Sequence, residues 1–302
     1  MTDISVEQLP PDEAFDLLAH ELRFDILRAL NDADGGLPFS DLRATVDVRD
    51  SGRFNYHLEQ LVDRFVRKSG EEYRLSPAGK RAVGAVLSGG YTHIHEADPV
   101  PMSASCMYCG AGLEAQFTDE RVRIVCTSCE WTFTEPTIPP STLDGWDRDD
   151  VPYVVHRWTR RLLTSSNLGL CQYCDGRVDM VLCQPGDDAA PDWFEPETAD
   201  HEATVVYDCQ RCGHRWHAMV EIGALSHPAV IAFHYDHGID LRETPVWELD
   251  WYDEPRSTVR QDDPLRVELR ITLEEETRIF VFDDAMNLVS ENAESRPSST
   301  GS

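Results

Sequence analysis

Apolar residues recur at helical spacing in the N-terminal part of the chain. Residues 12–31 predict two helices, and in the second of them Leu22, Ile26 and Leu30 share one face. A short third helix is expected from about Ser40, whose side chain suits an N-cap. The sequence therefore opens with three helices in close succession.

A strongly amphipathic segment follows a turn at residues 49–52. Phe54, Leu58 and Leu61 recur at intervals of four and three residues, and Ser51 is placed to cap the helix that they predict. Two short strand-like runs around 69–71 then indicate a hairpin. A last helix is expected to open at Ser76 and Pro77, because Pro suits the first helical turn.

Three helices, a hairpin and a further helix form the plan of a winged helix-turn-helix domain, which we expect over residues 1–92. Residues 49–60 would enter the major groove of double-stranded DNA, and the hairpin would touch the flanking backbone. The candidate DNA contacts are Arg49, Ser51, Arg53, Asn55, Tyr56, Gln60, Arg67, Lys68 and Arg74.

Eight of the nine cysteines form four Cys-x-x-Cys pairs that fall into two sets. The first set is Cys106, Cys109, Cys126 and Cys129, with strand-like residues between its pairs. Four thiolates at this spacing complete the tetrahedron that Zn²⁺ prefers, and the pattern predicts a zinc ribbon over residues 100–140.

The second set repeats that order with a longer acidic loop between its two pairs. Its members are Cys171, Cys174, Cys209 and Cys212, and they predict a second zinc ribbon over residues 167–224. A helix over 150–166 would connect the two ribbons. Cys183 is left over and is expected to be a small buried residue at the end of a strand.

Two other uses of the cysteines are open, redox pairs and an iron–sulfur cluster. Redox Cys-x-x-Cys pairs usually occur singly at the start of a helix, whereas these are matched pairs among strands, which favours two structural Zn²⁺ ions per chain. A set closed by four thiolates leaves no position for a reactive water.

The C-terminal part combines helical and strand patterns. A helix near 227–239 and strands over 265–273 and 277–282 predict a small α+β module at 226–292, which could pack on the ribbons or pair with a second protomer. Residues 293–302 are expected to be a disordered tail. The fold class is therefore α+β.

Charge adds a second layer, because 55 acidic side chains face 27 basic ones and the formal net charge is −28. Only two of the bases are Lys, a composition typical of a halophile that accumulates salt; an acidic protein with basic partners is the alternative. Residues 42–81 differ, with nine bases and six acids. This island favours DNA contact over a purely solubilising role.

Other chemistry is sparse in the sequence. We find no hydrolytic metal motif, phosphate loop or nucleophile turn, and the His93/His95 and His234/His237 pairs suit packing better than catalysis, so no enzyme is predicted. Arg157, with Arg160 and Arg161, forms a further basic cluster that could touch DNA or neutralise nearby acids. The acidic start and the lack of a long apolar stretch predict a cytoplasmic protein without a membrane partner.

Three stretches carry a family resemblance: LAHELRFDILRAL at 18–30, FNYHLEQLV at 54–62 and YRLSPAG at 73–79. Together they resemble ArsR-type winged-helix transcriptional regulators, and the cysteine pattern with SHPAVIAFHYDHG at 226–238 is similar to halophilic archaeal versions that carry zinc ribbons. The resemblance implies a homodimer that reads a twofold site. Residues 1–105 contain no Cys, which speaks against the metal-sensing site of that family.

A second interpretation retains the winged helix but assigns it a different partner. A winged helix followed by a zinc ribbon also resembles archaeal transcription factor E, which contacts the transcription machinery without reading a DNA sequence. Residues 91–302 carry 39 acids and 16 bases, a balance that suits protein contacts better than phosphate contacts. An enzyme that uses the ribbons as a lid is a remote third possibility.

Overall fold

The computed structural model describes residues 10–33, 35–90, 97–118, 121–196, 201–249 and 257–295. The chain divides into an N-terminal unit, Met1–Ile94 with Pro139–Thr142, and a C-terminal unit, His95–Ile138 with Leu143–Ser302. Both units combine helices with small antiparallel sheets, which confirms the α+β class.

The N-terminal unit contains five helices and three short strands among its described residues. In chain order they are α1 (Pro11–Asp16), α2 (Glu21–Asp32), β1 (Leu37–Pro38), α3 (Phe39–Thr45), α4 (Ser51–Leu61), β2 (Val66–Ser69), β3 (Glu72–Leu75) and α5 (Pro77–Leu87). The three strands form one antiparallel sheet in the order β1-β3-β2. The predicted order of helices and hairpin is therefore present.

One apolar core holds these elements together. Ile26 and Leu27 of α2 are fully buried with Leu42 of α3, Phe54 of α4 and Val83 of α5. These residues recur at helical spacing, so each helix buries a single stripe and leaves its opposite face to solvent.

Two helix starts differ from the sequence-based expectation. Asp50, and not Ser51, caps α4, because the Asp50 carboxylate accepts hydrogen bonds from the amides of Gly52 (2.8 Å) and Arg53 (3.1 Å). Ser51 is the first residue of the helix. Ser40 does not cap α3, since that helix begins at Phe39 and the Ser40 hydroxyl donates to Asp41.

Four strands in the order β4-β5-β6-β7 form the first sheet of the C-terminal unit. They are β4 (Val100–Ser105), β5 (Gly112–Thr118), β6 (Arg121–Cys126) and β7 (Thr132–Thr134). The 17-residue helix α6 (Val151–Asn167) packs Val151 and Val155 against the core of this sheet.

Among its described residues, the rest of the C-terminal unit contains two sheets and two α-helices. They are formed by β8 (Val178–Cys183), β9 (Thr204–Cys209), β10 (Arg215–Met219), α7 (Val220–Ala224), α8 (Pro228–Asp236), β11 (Ser257–Asp262), β12 (Leu265–Leu273), β13 (Glu276–Asp283) and β14 (Leu288–Ser295). The sheet orders are β10-β9-β8 and β11-β12-β13-β14.

A single core joins these two sheets. Val205 and Tyr207 of β9 are buried in the same cluster as Phe233 of α8 and Phe280 of β13. The Leu182 amide also donates to the carbonyl of Asp284 (2.7 Å). The C-terminal module therefore packs on the second cysteine segment, which is one of the two arrangements expected from the sequence.

The sequence-based prediction places the start of the C-terminal tail too early. Residues 293–295 belong to β14, where Ser295 pairs with Glu276 of β13, so they extend the last sheet. The remaining residues of the predicted tail, 296–302, lie outside the described residues.

Candidate functional site

The first four cysteines converge in the C-terminal unit. The sulfur atoms of Cys106 and Cys129 are 3.7 Å apart, those of Cys109 and Cys126 are 3.4 Å apart, and all four lie within 4.8 Å of one another. A tetrahedral ion with metal–sulfur bonds of about 2.3 Å separates neighbouring sulfur atoms by about 3.8 Å. The group could therefore hold a metal ion.

The second four cysteines form a group of the same shape. Cys171 and Cys212 have sulfur atoms 3.7 Å apart, and Cys174 and Cys209 have sulfur atoms 3.5 Å apart. The long loop between β8 and β9 does not disturb this convergence, because Val178 and Cys209 are paired across the two strands. The structure thus contains two four-cysteine groups, each able to hold a metal ion.

All four Cys-x-x-Cys turns share one backbone design. The amide of the first cysteine donates to the carbonyl five residues later, in the pairs Cys106/Ala111, Cys126/Trp131, Cys171/Gly176 and Cys209/His214, at 2.7–2.9 Å. The residue after the second cysteine has a positive φ in every turn, at Gly110, Glu130, Asp175 and Gly213. This left-handed residue reverses the chain tightly enough to direct both thiols to one side.

Backbone amides favour the thiolate form at the first cysteine of two turns. The amide of Cys129 lies 3.4 Å from the Cys126 sulfur atom and lowers the pKa of that thiol. In the second group, the amide of Cys212 likewise lowers the pKa of Cys209. Hydrogen bonds to a charged sulfur stabilise it, and the thiolate is the form that binds metal.

An aromatic contact beside each group escaped the sequence analysis. The Tyr108 ring packs on Trp131 with centroids 4.6 Å apart, and the Tyr173 ring packs on His214 at 4.5 Å. Both tyrosines directly precede the second cysteine of a turn, and both partners stand two residues after the last cysteine of the group. The shared offset was a detectable signal of a repeated unit.

Cys183, His234 and His237 have structural environments. Cys183 is fully buried at the end of β8 beside Phe194, and burial together with Asp187 raises the pKa of its thiol to about 11. His234 and His237 each lie within 2.9 Å of a backbone carbonyl of α8 through Nδ1. His93 and His95 lie outside the described residues.

The predicted DNA-contacting side chains occupy two places in the N-terminal unit. Arg49, Ser51, Arg53, Asn55, Tyr56 and Gln60 lie on or just before α4, and Arg67, Lys68 and Arg74 lie on the β2–β3 hairpin. Eight of the nine are exposed, and Asn55 is half-buried with its amide donating to Glu59 (2.8 Å).

Most of these bases are not neutralised. Arg74 pairs with Glu72 at 2.8 Å, whereas Arg49, Arg53, Arg67 and Lys68 form no ion pair within the described residues. In the hairpin, Arg67 stands directly opposite Arg74. Like charges opposite each other in a sheet are destabilising, so this pair has no evident structural benefit.

The three arginines of the connecting helix have different environments. Arg157 pairs with Glu243 at 2.6 Å, which agrees with the neutralising role considered for this cluster. Arg160 and Arg161 form no such pair within the part of the chain that the structure describes. Within those described ranges, none of the helices has the length and apolar character needed to cross a bilayer.

The fold and the two cysteine groups define an α+β protein with two potential metal centres. A family model described as a domain of unknown function, DUF7351, matches residues 103–288, which is more than half of the chain, and the chain belongs to that family. A second domain of unknown function, DUF7347, matches residues 11–86. No curated protein and no solved structure matches the chain.

Proposed function

We propose that the chain is a DNA-binding transcriptional regulator whose N-terminal unit is a winged helix of the ArsR type. The arrangement of α2, α3 and α4, followed by the β2–β3 hairpin and α5, supports this proposal. The pairing of β1 with β3 supports it further, since the short strand before α3 completes a small sheet beside the hairpin.

Helix α4 suits the role of recognition helix. Phe54, Leu58 and Leu61 bury one face, while Arg53, Tyr56 and Gln60 are exposed on the other. An exposed helix face with donors of this kind can hydrogen-bond to base edges and phosphates in the major groove.

The observation that carries the proposal is the charge of the hairpin and helix. Arg67 stands opposite Arg74 across the two strands, and Lys68, the next residue, stands opposite Tyr73, in a chain of net charge −28. Glu72 already neutralises Arg74, whereas Arg67 and Lys68 form no ion pair within the described residues, and a polyanion such as the DNA backbone would neutralise both. Arg67 and Lys68 therefore serve as phosphate contacts and α4 as the reading element.

The two four-cysteine groups complete the proposal as zinc ribbons. Sulfur separations of 3.4–3.7 Å fit Zn²⁺, and four thiolates leave no open position, so the ion would stabilise the fold. The protein would act in the cytoplasm as a homodimer, with half-sites about one helical turn apart.

Binding titrations on matched variants test the DNA contacts. Arg67→Gln should weaken binding to all sequences alike and reduce the slope of log affinity against log salt by about 1, because one phosphate contact is lost. Gln60→Ala should instead relax the preference at one base position, by about 1–3 kcal/mol. Arg121→Gln is the control, since it makes the same charge change at an exposed residue of the C-terminal unit.

Unchanged affinity and salt slope in Arg67→Gln would contradict the proposed surface. A second candidate, an adaptor of the transcription machinery, is favoured by the excess of acids in residues 91–302, with 39 acids and 16 bases. Co-purification with RNA polymerase subunits, together with equal affinity for all DNA sequences, would support that function instead.

A further inference from the structure

An open pocket of about 480 Å³ lies in the C-terminal unit beside helix α6. Four arginines line it, Arg157, Arg160, Arg161 and Arg242, together with the hydroxyl-bearing Thr164 and Ser165. Because the α6 residues recur at intervals of three and four, one face of the helix brings them together. Such a concentration of guanidinium groups is unexpected in a unit so rich in carboxylates.

The pocket carries more positive charge than its surroundings neutralise. Arg157 pairs with Glu243, and Arg242 pairs with Asp240 through hydrogen bonds of 2.6–3.1 Å. Arg160 and Arg161 form no ion pair with any carboxylate in the described ranges. Two guanidinium charges of the pocket are therefore available to an anion.

Two of the four guanidinium groups lie over aromatic rings. Arg161 lies over the Trp158 ring, 4.5 Å from its centroid, and Arg157 lies 5.6 Å from the centroid of Trp146. Stacking on an aromatic face fixes the plane of a guanidinium and leaves its N–H groups free to donate. A preorganised fork of this kind binds an oxyanion with little loss of side-chain entropy.

Arg160 supplies a second, independent observation that favours an anion here. Its Nη1 atom is buried and has no hydrogen-bond acceptor among the described residues. Burial lowers the pKa of its guanidinium, and the carboxylate of Asp240 only partly opposes this effect. A buried charge without full compensation is costly, and a bound anion near Arg160 would reduce that cost.

The rest of the lining is apolar. Leu168 at the end of α6 is 73% exposed and Leu170 is 49% exposed, and both border the pocket. Exposed leucines next to a charged cluster suit a ligand that has a charged head and an apolar body. The volume falls in the range of small-molecule sites, about 300–1,000 Å³.

We propose that this pocket binds a small organic anion, with its phosphate or carboxylate group held by Arg160 and Arg161 and its apolar body against Leu168 and Leu170. Arg157 and Arg242, already paired with carboxylates, would border the anion and orient it. The proposal concerns the C-terminal unit alone and goes beyond DNA binding. It does not depend on the proposed function.

Calorimetric titration of the full-length, metal-loaded chain tests this site, with phenyl phosphate, benzoate and inorganic phosphate as probes. We expect saturable binding of one organic anion per chain, tighter for phenyl phosphate than for inorganic phosphate. The comparison of phenyl phosphate with benzoate identifies the preferred head group. Arg161→Gln should reduce the affinity at least about tenfold, because it removes a charge-assisted contact.

Two control variants separate the site from general effects of charge and packing. Arg121→Gln removes one positive charge from the same unit, at a residue outside the pocket lining. The affinity of this variant for phenyl phosphate should equal that of the wild type. Leu168→Ser should reduce the difference in affinity between phenyl phosphate and inorganic phosphate. Leu168 is already exposed, so this change leaves the fold intact.

Three results would overturn the proposal. The first is that neither organic anion binds saturably. The second is that Arg161→Gln and Arg121→Gln lower the affinity for phenyl phosphate equally. The third is that the chain binds double-stranded DNA but no organic anion, and that Arg161→Gln lowers its affinity for DNA. The last result would make the pocket a contact for the phosphate backbone. DNA titration of Arg67→Gln is independent of all three, so failure here leaves the proposed function standing.

Discussion

Ser76 and Gly79 are the residues that fix α5 against the rest of the N-terminal unit. The Ser76 hydroxyl donates to the carbonyl of Arg64 (2.5 Å) and accepts from the Gly79 amide (3.0 Å). A Cβ atom at Gly79 would lie 2.1 Å from the carbonyl oxygen of Phe65. Only glycine allows the helix to begin this close to the preceding chain.

Gly79→Ala should therefore destabilise the chain although alanine is the better helix former. We expect a loss of about 1–3 kcal/mol in the free energy of unfolding, since backbone must shift to admit the new atom. Gly84→Ala is the matched control, because it lies in the same helix with nothing within 4 Å of the added atom. It should gain about 0.5–1 kcal/mol.

Denaturant unfolding at fixed salt measures both changes. Equal effects of the two substitutions would show that helix propensity alone decides α5 and that the close approach to Phe65 does not matter.

At single residues, chemistry was easier to predict from the sequence than geometry. The eight cysteines that could hold metal ions were found by type and spacing, and the structure gathers each set within 4.8 Å. The cap of α4 was misassigned to Ser51, since Asp50 and Ser51 are equally good caps by residue type. Only the hydrogen bonds from Gly52 and Arg53 decide between them.

Among the elements, helices and central strands were predicted more completely than edge strands. Helix α4 and strand β12 carry a strong periodic pattern because one or both faces are buried. The edge strands β4, β10, β11 and β14 were not predicted, whereas the edge strand β2 belongs to the predicted hairpin. An edge strand is half solvated and polar, so its sequence has little periodicity and its pairing depends on a distant neighbour.

Each four-cysteine group should be a structural element in its own right. Wild-type chain should carry two metal ions, and Cys126→Ala should retain one, because the second group stays complete. The substitution should also unfold β5 and β6, whose ends meet at Leu113 and Cys126. Native mass spectrometry counts the ions, and elemental analysis identifies them.

Cys183→Ala is the matched control for the metal count. It removes a buried thiol that belongs to neither group, and the chain should keep both ions. A loss of metal in this variant, or two retained ions in Cys126→Ala, would contradict the assignment of ligands.

On the scale of the whole molecule, the charge distribution and the cluster of Arg157, Arg160 and Arg161 were predictable, but the pocket that Arg242 completes was not. A count along the sequence locates the nine bases of residues 42–81. The pocket joins Arg242 to a helix some eighty residues earlier, through a packing arrangement that no local pattern encodes. The two matching family models leave a boundary between residues 86 and 103, and the description of neither family names a function.

Selection of bound fragments from the source genome tests the central claim most directly. The full-length chain should be loaded with zinc, its metal counted, and the selection run at high salt, where so acidic a surface is screened. We predict enrichment of one short palindromic site, and loss of that enrichment in a chain carrying Arg53→Gln and Gln60→Ala. If a chain with both metal sites filled recovers fragments without enrichment of any sequence, the result would contradict sequence-specific DNA binding.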